Sequence, residues 1–277
     1  MEKKTIREHD FYKLEQFYTD LNVLENLGDI KDYQGGVMEV ADKFGWPRAI
    51  YHEIFNLKDY YKFPNQDKRI YDGDVVVDLG SGAGNDCFIA RHETGETGKV
   101  IGVDFTPAMI DKARSNAEVR GFNNVEFRQG DIESMPITAN TADVIVSNCV
   151  LNLVPNKDAV IKDIYRVLKP GGHFSISDVV LVGALPEGLR KDAEMYAGCV
   201  SGAIQKEVYM ELIHANGFEN VTIQNEKPII IPDDILINYL TTDQIAAFKN
   251  GATGIFSVTV FAKKPMAEKC VPGGGCC

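Results

Sequence analysis

Asp78-Leu-Gly80-Ser-Gly82-Ala-Gly84-Asn-Asp86 joins an apolar run, Asp74-Val-Val-Val-Asp78, to a segment of helical spacing that reaches about His92. Glycines at alternate positions let the backbone turn sharply and approach a ligand closely, and the helix start behind them offers N–H groups that have no partner within the helix. The same rhythm continues downstream. Val100-Ile-Gly-Val-Asp104 reads as a second strand, and residues 107–120 carry Ile110, Ala113 and Ala117 at helical spacing with Gly121 as the stop. Val125-Glu-Phe-Arg128 and Asp143-Val-Ile-Val146 read as the third and fourth strands. A helix over 156–168 puts Val160, Ile161, Ile164, Val167 and Leu168 on one stripe. Lys169-Pro-Gly-Gly172 ends it, before a fifth strand, His173-Phe-Ser-Ile-Ser177. This alternation predicts an α/β fold: a doubly wound, mostly parallel Rossmann-like sheet, with ligands at the carboxyl ends of its strands.

The flanks divide the chain further. Residues 1–72 hold half of the aromatic side chains, among them Phe11, Phe17, Tyr18, Trp46, Tyr60 and Tyr61, so they are expected to form a folded, helical N-terminal cap. Residues 73–182 form the Rossmann-like core. Residues 183–269 read as a C-terminal α+β lobe: helices, a strand over 220–224, a helix near 234–248 and a strand over 255–262, the late strands being placed to complete the sheet. Cys270-Val-Pro-Gly-Gly-Gly-Cys276-Cys277 reads as a flexible tail over 270–277. No internal repeat is visible.

Composition narrows the function classes. Lys plus Arg is 29 against 40 Asp plus Glu, a net charge of −11, and no basic run offers a nucleic acid the cationic face it requires. No apolar run approaches the roughly 20 residues that span a bilayer, and the first residues lack a signal-peptide core, so a cytoplasmic protein with no membrane partner is expected. Six cysteines (Cys87, Cys149, Cys199, Cys270, Cys276 and Cys277) are too few for a disulfide scaffold in 277 residues. In a reducing compartment they are packing residues, ligands or nucleophiles.

The glycine loop departs from a dinucleotide fingerprint, since Asn85 stands where the third glycine belongs, which argues against an NAD-linked oxidoreductase. A nucleoside ligand without pyrophosphate suits it better, and S-adenosylmethionine is such a ligand. Asp104 closes the second strand, placed to accept both ribose hydroxyls, and Asp78 could orient a cationic amino-acid tail. Asp131 in Gly130-Asp131-Ile132 could meet an adenine amino group, and Ser147-Asn148-Cys149 lies at the ligand edge of the fourth strand. Each alone is also what a turn or helix cap looks like. Taken together they predict a class I methyltransferase whose cofactor set is Asp78, Gly80, Gly82, Gly84, Asp104, Met109, Asp131, Ile132 and Asn148.

Three stretches then carry a resemblance: Asp78-Leu-Gly-Ser-Gly-Ala-Gly-Asn-Asp-Cys87, Ser147-Asn-Cys-Val-Leu-Asn-Leu-Val-Pro155 and Met195-Tyr-Ala-Gly-Cys-Val-Ser-Gly-Ala-Ile204. They resemble the arsenite S-adenosylmethionine methyltransferases over residues 74–236. The resemblance implies that Cys149 and Cys199 are the catalytic residues, binding arsenic(III) as thiolates. A soft, thiophilic centre selects sulfur, as soft metals do. It also implies arsenite or thiol-conjugated arsenite as substrate, arsenic detoxification as the role, and a thiol reductant such as glutathione or thioredoxin as partner. Members of the family commonly have N-terminal cysteines, one of them a third arsenic ligand, whereas here none precedes Cys87. The tail cysteines are the candidates to replace it in arsenic capture.

Cys87 reads as a core residue on the helix after the loop. Two alternatives stand beside arsenite methylation. One is a methyltransferase for a small amine or carbon acceptor such as a quinone precursor. It would want a base, and His173, expected to be an ordinary exposed histidine, is a poor one. The other is a non-catalytic thiol-based arsenic or metal buffer.

Overall fold

The computed structural model describes residues 70–186, 189, 202–231, 233–250 and 253–267. The N-terminal cap, Cys199 and the tail cysteines lie outside the described residues.

The five expected strands are present, β1 shifted by one residue and β5 much longer than its apolar run: β1 (Val75–Leu79), β2 (Lys99–Asp104), β3 (Val125–Gln129), β4 (Ala142–Asn148) and β5 (Leu168–Val182). Helices α1 (Asn85–Thr94), α2 (Pro107–Val119) and α3 (Lys157–Val167) connect them, followed by α4 (Lys206–Ala215) and β6 (Glu219–Pro228). The chain continues through α5 (Asp233–Leu236) and α6 (Thr242–Asn250) to β7 (Gly254–Lys263). One seven-stranded sheet results, in the order β3-β2-β1-β4-β5-β7-β6. Strands β1 to β5 pair in parallel, and β7 runs antiparallel between β5 and β6, so the late strands do complete the sheet.

Alternation along the strands sends side chains to two cores. Val77, Leu79, Ile101 and Ile145 pack with Val160, Ile161, Ile164 and Val167 of α3 and with Tyr209 and Ile213 of α4. Val76, Val100, Val144 and Val146 pack on the opposite face with Cys87 and Phe88 of α1 and Ile110, Ala113 and Ala117 of α2. Each fully buried aliphatic side chain contributes roughly 1.5–3 kcal/mol. Because Asp78 follows Val77, it lies on the α1 face, at the carboxyl end of β1.

Three local readings are corrected. The 169–172 segment does not separate helix from strand, since β5 begins at Leu168 itself. Leu168 pairs with Ala142 and His173 with Val144, so the intervening residues bulge out of register. Gly171, at φ 82°, turns back there and donates to the carbonyl of Lys264 at 3.0 Å. The single helix expected near 234–248 is two helices, α5 and α6. A reciprocal cap starts α6: the Gln244 N–H donates to Thr241 Oγ1, and the Thr241 N–H to Gln244 Oε1 at 2.9 Å.

His173 is the third correction, because it is buried rather than exposed. It pairs between Val144 and Lys263, and its ring lies 5.2 Å from that of Phe261. It lies four positions before Ser177, which pairs with Asn148 at the other end of β4. That is about 13 Å along the strand, too far for His173 to act as a base at the carboxyl edge.

Burial, then the Lys263 charge, lower the His173 pKa from 6.5 to about 4. In the unfolded chain the imidazole protonates near 6.5, so stability present above that pH is lost as pH falls toward 4. His173→Phe should therefore lose less stability between pH 7 and pH 5 than the parent, by roughly 1–3 kcal/mol, in urea melts at the two pH values.

Candidate functional site

The glycine loop is built by backbone conformation before any side chain takes part. Gly80, Gly82 and Gly84 have φ of 71°, 51° and 98°, the left-handed region that other residues enter only at a cost. At Gly80 a side chain is also excluded by contact: a Cβ there would lie 2.3 Å from Val150 Cγ2. The loop therefore presses on the residue after Cys149. Its N–H groups at Gly80 and Ser81 donate to the Val103 carbonyl, at 2.8 and 3.1 Å, tying it to β2. Asn116 of α2 donates its side-chain amide to the Ala83 carbonyl at 3.1 Å and holds the loop from outside.

Asp104 closes the next strand. Its Oδ2 accepts the Gly82 N–H at 3.0 Å and its Oδ1 the Thr106 N–H at 2.8 Å, leaving further lone pairs on both oxygens for a ligand. Burial raises its pKa. Asp78 is more deeply enclosed, and its Oδ2 accepts the Cys87 thiol at 3.3 Å. Burial first, then the neighbouring charges of Asp86 and Asp104, push the Asp78 pKa well above the carboxylate range. Among the described residues no basic side chain pairs with either carboxylate, so the loop favours a cationic ligand.

Across from the loop, β4 ends in Asn148 and Cys149. Cys149 adopts φ 55°, unusual for a residue with a side chain, and its N–H donates to the Ser177 carbonyl at 2.8 Å. It is buried with Val179, Leu185, Ile229 and Ile255. A short 3₁₀ turn, Leu151–Leu153, follows, and a Cβ at Gly202 would lie 1.7 Å from the Asn152 carbonyl oxygen. The chain three residues beyond Cys199 thus packs against the turn that follows Cys149.

Of the expected residues, Asp78, Gly80, Gly82, Gly84, Asp104 and Asn148 gather at the carboxyl edge of β1, β2 and β4. Met109, in the first turn of α2, and Ile132 are both buried. Asp131 is exposed and its Oδ1 accepts the Glu133 N–H at 2.9 Å, the turn role its residue type also suits. Cys87 faces the core as expected. The fit to a nucleoside with a cationic tail has a further sign: Ser81 Oγ, Asn85 Oδ1 and Asn148 Oδ1 are buried with no hydrogen-bond partner among the described residues.

Sequence reading missed a second polar group behind Cys149. Asp178 Oδ2, the Tyr209 hydroxyl and Asn152 Oδ1 are buried without hydrogen-bond partners among the described residues. Asp178 and Cys149 both push up the pKa of the Tyr209 hydroxyl, after burial. The available signal was Asp178 itself, a carboxylate inside the apolar run Ser177-Asp-Val-Val-Leu-Val182. Burial raises its pKa from 3.8 to about 7, with Lys157 opposing. A carboxyl that holds its proton more tightly when folded stabilises fully below pH 4, and that contribution is lost as pH rises through 7. Asp178→Asn should flatten the decline in stability between pH 5 and pH 8 by roughly 1–4 kcal/mol, measured by urea melts.

The sequence profile of a methyltransferase domain matches residues 70–217. An arsenite methyltransferase of Halobacterium salinarum is 48% identical over 151 residues, covering 54% of this chain and 39% of that protein. Another, of Aquipseudomonas alcaligenes, is 35% identical over 227 residues, 79% of this chain and 65% of the relative. The chain therefore spans less than two thirds of the length of either. A solved structure, the arsenic(III) S-adenosylmethionine methyltransferase of Chlamydomonas reinhardtii, superposes with a TM-score of 0.62 at 30% identity, covering 79% of this chain and 74% of that one.

Proposed function

The chain belongs to the methyltransferase-domain family, and on that premise we propose that it methylates thiol-bound arsenite with S-adenosylmethionine, giving methylated arsenicals and S-adenosylhomocysteine. The observation that carries this reading is the contact between Gly80 and Val150, which puts the cofactor loop against the turn holding Cys149. The similarity to the arsenite methyltransferases of the two microbes and of the alga supports the acceptor.

Asp104 would hold the ribose hydroxyls of S-adenosylmethionine, and Asp78 its ammonium. Gly80, Gly82 and Gly84 give it room, and Met109, Asp131, Ile132 and Asn148 complete its surroundings. Bound there, S-adenosylmethionine supplies an electrophilic sulfonium methyl for the lone pair of arsenic(III). The rest of the work falls to the chain. Cys149 and Cys199 grip arsenic as thiolates; that Gly202, three residues after Cys199 in the sequence, packs on the turn after Cys149 supports pairing the two cysteines. The lone pair is already nucleophilic, so these residues need only position the substrate and exclude water. That suits an edge from which His173 lies far. A thiol reductant, glutathione or thioredoxin, keeps the two cysteines reduced.

Two expectations test this. Cys149→Ser and Cys199→Ser should each abolish methylated arsenicals, read by mass analysis of arsenite incubated with isotope-labelled cofactor and thiol, while cofactor affinity stays within about threefold of the parent. Surviving methyl transfer in both variants would favour an organic acceptor. Arsenic binding by the parent without any S-adenosylhomocysteine would favour a thiol buffer. Asp104→Ala should weaken S-adenosylmethionine binding by about tenfold or more in calorimetry, because charge-assisted hydrogen bonds are lost.

A further inference from the structure

Cys87 is the one cysteine of the cofactor half that the reaction leaves without a task. It is fully enclosed on the first turn of α1, and its Sγ lies 3.3 Å from Asp78 Oδ2. The rotation of α1 that aims it there is fixed by the next residue. Phe88 donates its N–H to the Gly84 carbonyl at 3.0 Å, and its ring packs on Phe122 and Phe127, with centroids 5.6 and 6.1 Å away. Gly84 has no room for a side chain against the same two rings of Phe88 and Phe127. The helix therefore has little freedom to turn Cys87 away from Asp78.

A buried carboxylate keeps its orientation only through the donors around it. Toward Asp78 the described residues offer the Cys87 thiol and no basic side chain. We propose that Cys87 is a positioning residue for the methyl donor: its thiol, donating to Asp78 Oδ2, holds that carboxylate ready for the ammonium of the donor's amino-acid tail. The proposal rests on the cofactor reading above and adds to it the residue that orients Asp78. It also separates the two cysteines of the described core. Burial and the carboxylates of Asp78 and Asp86 keep Cys87 in its thiol form, which suits a hydrogen-bond donor and not an arsenic ligand.

Two probes distinguish positioning from packing: S-adenosylhomocysteine, which carries the amino-acid tail, and methylthioadenosine, which lacks it. In calorimetric titrations of the full chain, Cys87→Ala should weaken S-adenosylhomocysteine by about five- to twentyfold and methylthioadenosine by less than about twofold. Cys87→Ser, which keeps a donor, should bind both within about threefold of the parent. If Cys87→Ala does not fold, Cys87→Val fills the space without a donor and carries the same expectation. Equal weakening of both probes would overturn the proposal in favour of packing, and unchanged affinity for both would overturn it outright. Failure of the parent to prefer S-adenosylhomocysteine over methylthioadenosine would instead remove the cofactor reading, and the role of Cys87 with it.

Discussion

The architecture of the site turns on a missing side chain. Gly80 carries no Cβ, so Val150 occupies the space a methyl group would take, and the loop after β1 meets the turn after β4 in direct contact. Neighbouring parallel strands bring their carboxyl ends to one edge in any doubly wound sheet. Here that shared edge is closed where Val150, the residue after Cys149, lies against Gly80. Asp104, bonded to the Gly82 N–H, carries the same tie across to β2. The loop is thereby fixed at both flanks by groups belonging to its neighbours rather than by its own side chains.

Electrostatics give this edge its preference. Asp78 and Asp104 are enclosed, burial raises the proton affinity of both, the charges of Asp86 and Asp104 raise that of Asp78 further, and neither meets a basic partner among the described residues. Folding leaves this repulsion uncompensated within the core, the usual sign of a site shaped for a ligand rather than for stability. Beyond Cys149 the sheet repeats the theme: Asp178 Oδ2, the Tyr209 hydroxyl and Asn152 Oδ1 are buried without a hydrogen-bond partner among the described residues, on the side toward β5 and α4. Polar groups of that kind are rare in a parallel sheet, whose interior is otherwise aliphatic.

Much of this was legible in the residues. Strands β1 to β4 and helices α1 to α3 announced themselves because each is a short apolar run or a 3.6-residue stripe closed by glycine or by a capping residue. Cys87 could be assigned to the core from its place on the α1 stripe. Tertiary pairing decided the rest. The glycines at 171 and 172 read locally as a stop, yet strand pairing on both sides absorbs them as a bulge in β5. His173 reads as exposed because a histidine at a strand start faces water unless another strand covers it, and β7, remote in sequence, does so. The strain at Cys149 had no sequence signal either, since its φ follows from the Ser177 carbonyl that receives its N–H.

The placing of β7 between β5 and β6 has a consequence for how the chain is made. During synthesis β5 emerges with Phe174, Ile176, Val179 and Val180 in place, but one edge of it stays open until residues 254–263 leave the ribosome. β6 is translated earlier and cannot take that position without leaving β7 excluded. The nascent protein must keep that edge open until β7 is made, so β6, although made earlier, gains its place in the sheet only once residues 254–263 have emerged.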